Sequence, residues 1–158
     1  MPSLTSVALL DGRQSGTALL VARGTRRLLW RLNFSTVTEL PLLSGRRADI
    51  VALASDATIL IVEVKSSVAD FRADAKWQDY RAHCDRLFFA IPETVPAEIM
   101  PEDAGLILAD AYGAGILRQA PEHRMASATR RAMLMRFAQA AAHRLHRLSD
   151  PEVCAKGG

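Results

Sequence analysis

Arg46-Arg47-Ala48-Asp49-Ile50-Val51 and, after a short connection, Ile61-Val62-Glu63-Val64-Lys65 decide how this chain is read. Both lie in runs rich in aliphatic and β-branched residues, Arg47–Leu53 and Thr58–Lys65, separated by Ser55-Asp56. Such runs around a turn signal predict two antiparallel strands. With the turn centred on Asp56, Asp49 falls opposite Glu63, because each is seven residues from the centre. Strand side chains alternate between faces. One face then carries Ala48, Ile50, Ala52, Leu60, Val62 and Val64, all apolar. The other carries Val51, Leu53, Ile59 and Ile61 near the turn, and Arg47, Asp49, Glu63 and Lys65 at the open end.

Two carboxylates facing each other across a sheet repel, and partial burial raises the cost unless a cation lies between them. A divalent metal suits the pair. Mg²⁺ takes one or two carboxylates and completes its shell with water and phosphate oxygens. Lys65, two residues from Glu63 on the same face, could orient a water or offset charge developing on a phosphate. The competing reading is a structural ion cluster in which Arg47 and Lys65 neutralise Asp49 and Glu63.

Outward from this hairpin the pattern is that of a mixed α/β layer. Residues 16 to 32 read as a helix with Ala18, Val21, Leu28, Leu29 and Leu32 on its apolar side, weakened by Gly24. Thr36–Leu43 reads as a first strand ending at Ser44-Gly45, so the strands form an antiparallel meander. After Lys65, Ser67 and Asp70 fit a capping box. Ala73, Trp77, Tyr80 and Cys84 recur at helical spacing, which predicts a helix running to about Ala82. Arg86–Ile91 is a short apolar strand, and Gly105–Ala109 and Gly115–Arg118 are two more, joined around Tyr112-Gly113. The last helix is expected from about Ser127 to Leu148, with Leu134, Phe137, Ala138, Ala141, Leu145 and Leu148 as its apolar stripe. Pro151 stops it, and residues from about 152 to 158 read as a loose tail.

With 158 residues, 49% hydrophobic and 23% charged, the chain reads as one globular domain. Cys84 and Cys154 fit neither a zinc spacing nor a disulfide framework. Met1 to Ser6 lack a signal-peptide pattern, and no apolar run is long enough to span a bilayer, so a cytoplasmic location without membrane insertion is expected. Net charge is +3, but arginines concentrate towards both ends: Arg13, Arg23, Arg26, Arg27 and Arg31, then seven from Arg118 to Arg147. An acidic centre between basic ends suits an acidic site flanked by phosphate-binding arms, although arginines also solvate helix faces. His143 and His146, three apart on the last helix, lack a third ligand and read as a solvated face. Asp70 and Asp74 read as solvated acids, and Trp77 as core.

An Asp ending one strand and Glu-x-Lys on the next resembles the core of the PD-(D/E)XK nuclease superfamily. The likeness lengthens in Gly45-Arg46-Arg47-Ala48-Asp49, Glu63-Val64-Lys65-Ser66-Ser67, Asp70-Phe71-Arg72-Ala73-Asp74 and Lys76-Trp77-Gln78-Asp79-Tyr80, which resemble the MmcB-like DNA-repair family. It continues in residues 84 to 92 and 109 to 114, and spans the chain from about Gly16 to Pro151. The resemblance implies a restriction-endonuclease-like α/β fold, a mixed β-sheet flanked by helices, and a role in DNA damage repair. It implies Asp49 and Glu63 as ligands of Mg²⁺ or Mn²⁺ and Lys65 as the catalytic lysine. The backbone carbonyl of Val64 is a further candidate ligand. Ala48 stands where the superfamily's name puts Pro, and the helix from Gly16 has no Asp or Glu where many members carry an additional acid.

Glu39 is the candidate substitute. With a two-residue turn at Ser44-Gly45 it pairs with Ile50 and faces away from Asp49; with one more loop residue it pairs with Val51 and joins the site. The expected partner is DNA, contacted through Arg26, Arg27, Arg47, Lys76, Arg130 and Arg131, with a homodimer or a repair-protein partner also expected. The expected activity is metal-dependent hydrolysis of DNA phosphodiester bonds. The alternative is a non-catalytic DNA-binding or partner-recruiting accessory of the same fold.

Overall fold

A computed structural model describes residues 15 to 152. Arg13, Cys154 and the tail residues 153 to 158 lie outside the described residues. Helix α1 (Gly16–Arg31) is followed by strands β1 (Ser35–Pro41), β2 (Arg47–Leu53) and β3 (Ile59–Val64). A crossover holds the short helix α2 (Val68–Ala73) and a 3₁₀ helix (Trp77–His83). Strands β4 (Arg86–Ile91), β5 (Gly105–Ala109) and β6 (Ala114–Arg118) and helix α3 (Ser127–Ser149) complete the order.

The strands form one six-stranded sheet in the order β1-β2-β3-β4-β5-β6. The pairs β1–β2, β2–β3 and β5–β6 are antiparallel, whereas β3–β4 and β4–β5 are parallel. The sheet is therefore mixed, with helices on both faces, as the sequence suggests. α1 covers one face, burying Val21, Leu28 and Leu29 against Ile50, Val62, Phe88 and Ile107. The other face carries Val51, Ile61, Leu87 and Phe89 beneath Trp77, Tyr80, Met133 and Phe137. Trp77 and Phe71 both meet the Phe89 ring edge-on, at 5.2 and 5.7 Å between centroids.

Local chemistry explains most element boundaries. The Ser15 side chain caps α1 by accepting from the Ala18 amide at 3.1 Å. Gly24, which lowers helix propensity, is required by packing: a Cβ there would lie 1.9 Å from the Asp110 carbonyl oxygen. The Asp110–Gly113 turn thus docks directly on the helix. Leu32, expected on the apolar side, is instead exposed just past the helix end, where Asn33 takes a left-handed conformation at φ 64°.

Three expectations need correction. The helix expected from Ser67 to Ala82 is broken, because residues 74 to 76 leave the helical path between α2 and the 3₁₀ turn. Asp74 directs its carboxylate to Lys65 and Arg46, and Arg46 also donates to the Lys76 carbonyl at 2.9 Å. Those tertiary bonds replace helical ones. Ala73, expected on the apolar stripe, is exposed.

The second correction concerns Ala48, which lies not with Ile50 and Ala52 but on the opposite face with Val51. The alternation slips between residues 48 and 51 and, on the paired strand, between Val37 and Leu40, which share that same face. Glu39 sits at this slip with φ 52°, a conformation that bulky side chains rarely adopt. The third is the distal end of α3. Met133 and Phe137 are buried, but Ala138, Leu145 and Leu148 are exposed because the helix outruns the sheet.

At the end of β3 remote from Glu63, Asp85 gathers three elements. Its carboxylate accepts from the Ile59 amide at 2.8 Å and from both terminal nitrogens of Arg130, at 2.8 and 2.6 Å. Arg130 also donates to the Ala57 carbonyl, so the start of α3 is tied to the β2–β3 turn and the start of β4. Arg130→Ala should destabilise the fold by about 2 kcal/mol at neutral pH, since it strands a nearly buried carboxylate. Arg130 holds the Asp85 pKa below its usual 3.8. The pair therefore contributes above that value, and its contribution fades as pH falls through the depressed one. Urea titrations of both proteins at neutral pH and near pH 3 test this: the gap between them should narrow in acid.

Candidate functional site

The β2–β3 ladder runs from Leu53↔Ile59 to Ile50↔Val62, which is the register that a turn centred on Asp56 dictates. Asp49 and Glu63 are next in line. There side chains replace the backbone ladder. The Asp49 amide donates to Glu63 Oε1 at 3.0 Å, and the Val64 amide donates to Asp49 Oδ2 at 2.8 Å. The two carboxylates are thereby clasped, each held by the opposite strand's main chain. Both line one cavity of about 660 Å³ with Lys65, Ser66, Ser67, Asp70 and Asp74. Ser15 and Ala18, at the N-terminal end of α1, close its far wall.

The clasp is electrostatically costly. Glu63 is 3% exposed. Burial, and next the Asp49 charge, push its pKa well above the usual 4.5. Burial also raises the Asp49 pKa, against the Val64 amide that favours the anion. Among the described residues, neither carboxylate is in an ion pair with a basic side chain. The cations expected to neutralise them are committed elsewhere. Lys65 Nζ lies 3.0 Å from Asp74 Oδ2, and Arg47 Nε pairs with Glu39. Asp74 also takes Arg46 at 2.9 Å. Burial opposes ionisation of Asp74, but the Lys65 and Arg46 charges outweigh it and hold its pKa low. Asp74 is thus no solvated acid, as its spacing from Asp70 suggested, but the anchor of the cavity's lysine. Asp70 is also engaged: it accepts from the Ser66 amide, and its own amide donates to Ser67 Oγ, which confirms the cap.

Tyr80 supports the wall from below. Its hydroxyl donates to the Arg47 carbonyl at 3.1 Å, and the Arg46 guanidinium lies 4.7 Å from its ring centroid. Burial pushes its pKa up to about 12, so it remains a neutral donor. Sequence reading placed Tyr80 only on an apolar stripe. Its contact with the site depends on the break at Asp74, which no local pattern announces.

Glu39 adopts neither of the two expected registers. Thr38↔Ile50 and Leu40↔Ala48 flank it, so it lies across from Asp49. Its carboxylate pairs with Arg47, and it lines a second cleft, which Asp49 also borders. Arg26 Nε donates to Thr36 Oγ1 and Arg27 to the Tyr112 carbonyl, both along that second cleft. Lys76 and Arg131 are exposed. Arg130 is the structural strut described above, at the opposite end of β3 from Glu63, and is not brought to the site.

A divalent cation fits this donor set in one respect: two adjoining carboxylates, one deeply buried, form no ion pair with a basic side chain among the described residues, and the nearby Lys65 charge does not offset their burial. The set is small. Among the described residues no group of three or more His, Cys, Asp or Glu side chains is arranged to hold a metal. No described helix is long and apolar enough to cross a membrane.

The profile of a family described as DNA repair protein MmcB-like matches residues 5–152, nearly the whole chain. The solved structure of a protein of unknown function from Silicibacter pomeroyi is similar at a TM-score of 0.84 and 45% identity, covering 86% of this chain and 93% of that one. A repair endonuclease from Pyrococcus abyssi shows a more distant similarity, with a TM-score of 0.40 and 16% identity over 62% of this chain and 47% of that one. No curated protein matches the sequence.

The clasp makes a pH-dependent prediction for the metal-free protein. Between pH 4.5 and the raised value of Glu63, the folded chain keeps a proton that the unfolded chain has released. Stability from this group is therefore full below 4.5 and falls as pH rises through the raised value. Glu63→Gln should remove that fall while its amide oxygen still accepts from Asp49. The difference in melting temperature between parent and variant, scanned across pH in chelator, isolates the effect from the histidines. A difference independent of pH would show that Glu63 is not held protonated.

Proposed function

Because the chain belongs to the MmcB-like DNA-repair family, we propose that it acts on DNA as a metal-dependent phosphodiesterase centred on Asp49, Glu63 and Lys65. One observation carries the reading: two clasped carboxylates share a polar cavity with a buried lysine, yet among the described residues no basic side chain forms an ion pair with either. A structural ion cluster would pair Lys65 and Arg47 with those carboxylates. Here both cations are engaged by other acids.

Asp49 and Glu63 would hold Mg²⁺ or Mn²⁺, with the Val64 carbonyl as a further candidate ligand; the metal's role would be Lewis-acid polarisation of the phosphate. Lys65, fixed by Asp74, presents a positive charge to the cavity. It can offset the negative charge that grows on the phosphoryl oxygens as water attacks, and hydrogen-bond that water. As the new phosphorus–oxygen bond forms, the attacking water gives up a proton to solvent; the phosphorus–oxygen bond to the leaving sugar breaks, and the leaving oxygen takes up a proton from solvent. The N-terminal end of α1, with no acid in its first turn, adds a dipole favourable to phosphate at the far wall.

A second reading, a DNA-binding accessory without turnover, is supported by the size of the donor set. α1 contributes no acid, and Glu39 is paired with Arg47. Both readings are tested together. Purified protein is incubated with single-stranded, duplex, flapped and junction DNA, with Mg²⁺ or Mn²⁺, while calorimetry follows metal binding. The phosphodiesterase reading expects one ion bound in the parent and none in Asp49→Asn. It also expects Lys65→Ala to cut cleavage by about 100-fold or more at nearly unchanged DNA affinity, because Lys65 acts on the transition state. DNA binding without cleavage of any substrate would leave the accessory reading standing. Absence of both metal and DNA binding would remove the two together.

A further inference from the structure

Asp49 borders two cavities. Beyond the acidic one, it closes the end of a second cleft, also about 660 Å³, that runs along the exposed side of α1. Arg23, Arg26, Arg27, Trp30 and Arg31 line it, all at positions of one helix face, and Tyr112 faces them from the β5–β6 turn. Trp30 is 77% exposed and Tyr112 80% exposed. Large aromatic side chains left so open cost solvation that packing elsewhere could have recovered.

The cleft is preformed. The missing Cβ of Gly24 lets the Asp110 carbonyl approach the helix, and a side chain at that position would clash with it. The Asp110 carboxylate accepts from the Tyr112 and Gly113 amides at 2.8 and 3.0 Å, which fixes the turn. Arg27 donates to the Tyr112 carbonyl at 3.1 Å and joins turn to helix. Tyr112 is therefore carried on a braced backbone while its ring stays in solvent.

We propose that this cleft binds an unpaired DNA strand and leads it to Asp49, which makes single-stranded or locally opened DNA the substrate class of the site proposed above. The inference rests on that reading for its chemistry, but its binding surface stands separately. In a duplex, base faces are stacked on one another and closed to protein rings. An unpaired strand offers each base face for stacking and each phosphate for an arginine. Helix α1 has arginines and no acid, and of the two acids bordering the cleft, Glu39 is already paired with Arg47. A row of arginines with Trp30 among them on one wall, and the Tyr112 ring facing it, offers both phosphate and base partners to a strand.

The chain has two tryptophans, and the other, Trp77, is buried beneath the far face of the sheet. Emission from Trp30 therefore reports on the cleft, and the difference between parent and Trp30→Phe isolates it. The test uses the full chain carrying Asp49→Asn, in chelator, so that neither cleavage nor metal binding is needed. Titration with an oligothymidylate should quench Trp30 emission, and the matching duplex should bind at least tenfold more weakly without quenching. Trp30→Ala and Tyr112→Ala should each weaken single-strand binding by about tenfold, as loss of one stacked base implies. Arg23→Ala with Arg31→Ala should flatten the salt dependence by about 0.7 per lost contact.

Equal affinity for duplex with no change in Trp30 emission, or alanine variants that bind like the parent, would overturn the proposal. So would Trp30 emission that shifts with protein concentration and not with DNA, which would identify a second copy of the chain as the occupant. Cleavage of duplex by the unmodified protein alongside such a failure would leave the phosphodiesterase reading intact. Strand binding without any cleavage would do the reverse.

Discussion

Asp74 takes both cations within its reach, and much of the site follows from that. Lys65, just past the end of β3, and Arg46, just before β2, approach it at 3.0 and 2.9 Å. To receive them, the chain leaves the helical path after α2 and resumes as a 3₁₀ turn, which drops Trp77 and Tyr80 into the core. Burying a lysine is expensive unless it is paired, and Asp74 supplies the pair. Once it does, the Lys65 ammonium hydrogen-bonds Asp74 and makes no ion pair with Glu63. The two carboxylates of the clasp are held by main-chain amides, and the Lys65 charge acts on them only from a distance, too weakly to offset the burial that keeps both pKa values raised.

The clasp in turn depends on the slip in the β1–β2 pair. A regular strand would send Ala48 and Ile50 to one face and Asp49 to the other. With Glu39 in a left-handed conformation, the alternation slips on both strands, and Ala48 joins Val51. Asp49 is placed at the discontinuity, where it borders the acidic cavity and the basic cleft at once. Backbone strain of this kind costs on the order of 1–3 kcal/mol and persists where surrounding structure over-determines it. Arg47, paired to Glu39 and accepting from the Tyr80 hydroxyl at its carbonyl, is part of that constraint.

These dependences explain which features were legible in the sequence. The β2–β3 register was, because it follows from a turn position and a two-residue period, both local. The strand bounds of β2 and β4 were legible from β-branched and apolar runs, and the Ser67 cap from its spacing to Asp70. The break at Asp74 was not. Its cause is a tertiary ion pair, and the intervening residues keep a helical period that the fold overrides. The slip at Glu39 was hidden because nothing in Thr-Glu-Leu announces a left-handed residue, and both registers considered for Glu39 were wrong because the turn after Pro41 is longer than either assumed, with Pro41 opposite Arg47. Trp30 and Tyr112 were visible as letters but not as exposed rings. The spacing of Arg23, Arg26, Arg27, Trp30 and Arg31 along one helix face was a signal available in the sequence. Reading charge by segment, instead of by face, passed it over.

The same distinction separates the arginines. Arg130 and Arg26 look alike in a list of basic residues near the two ends of the chain. Arg130 meets a carboxylate bidentately, with a backbone carbonyl to finish the arrangement, and so its charge is spent inside the fold. Among the described residues, Arg26 binds a hydroxyl and Arg27 a carbonyl, neutral acceptors that orient the guanidinium groups without cancelling their charge. A guanidinium held by neutral acceptors keeps its full charge for a phosphate, at a smaller entropic cost than a free side chain would incur. The fold thus uses arginine in two ways on one sheet. At the start of β3 it closes the structure; along α1 it leaves oriented positive charge beside the carboxylate clasp, which would otherwise repel a polyanion.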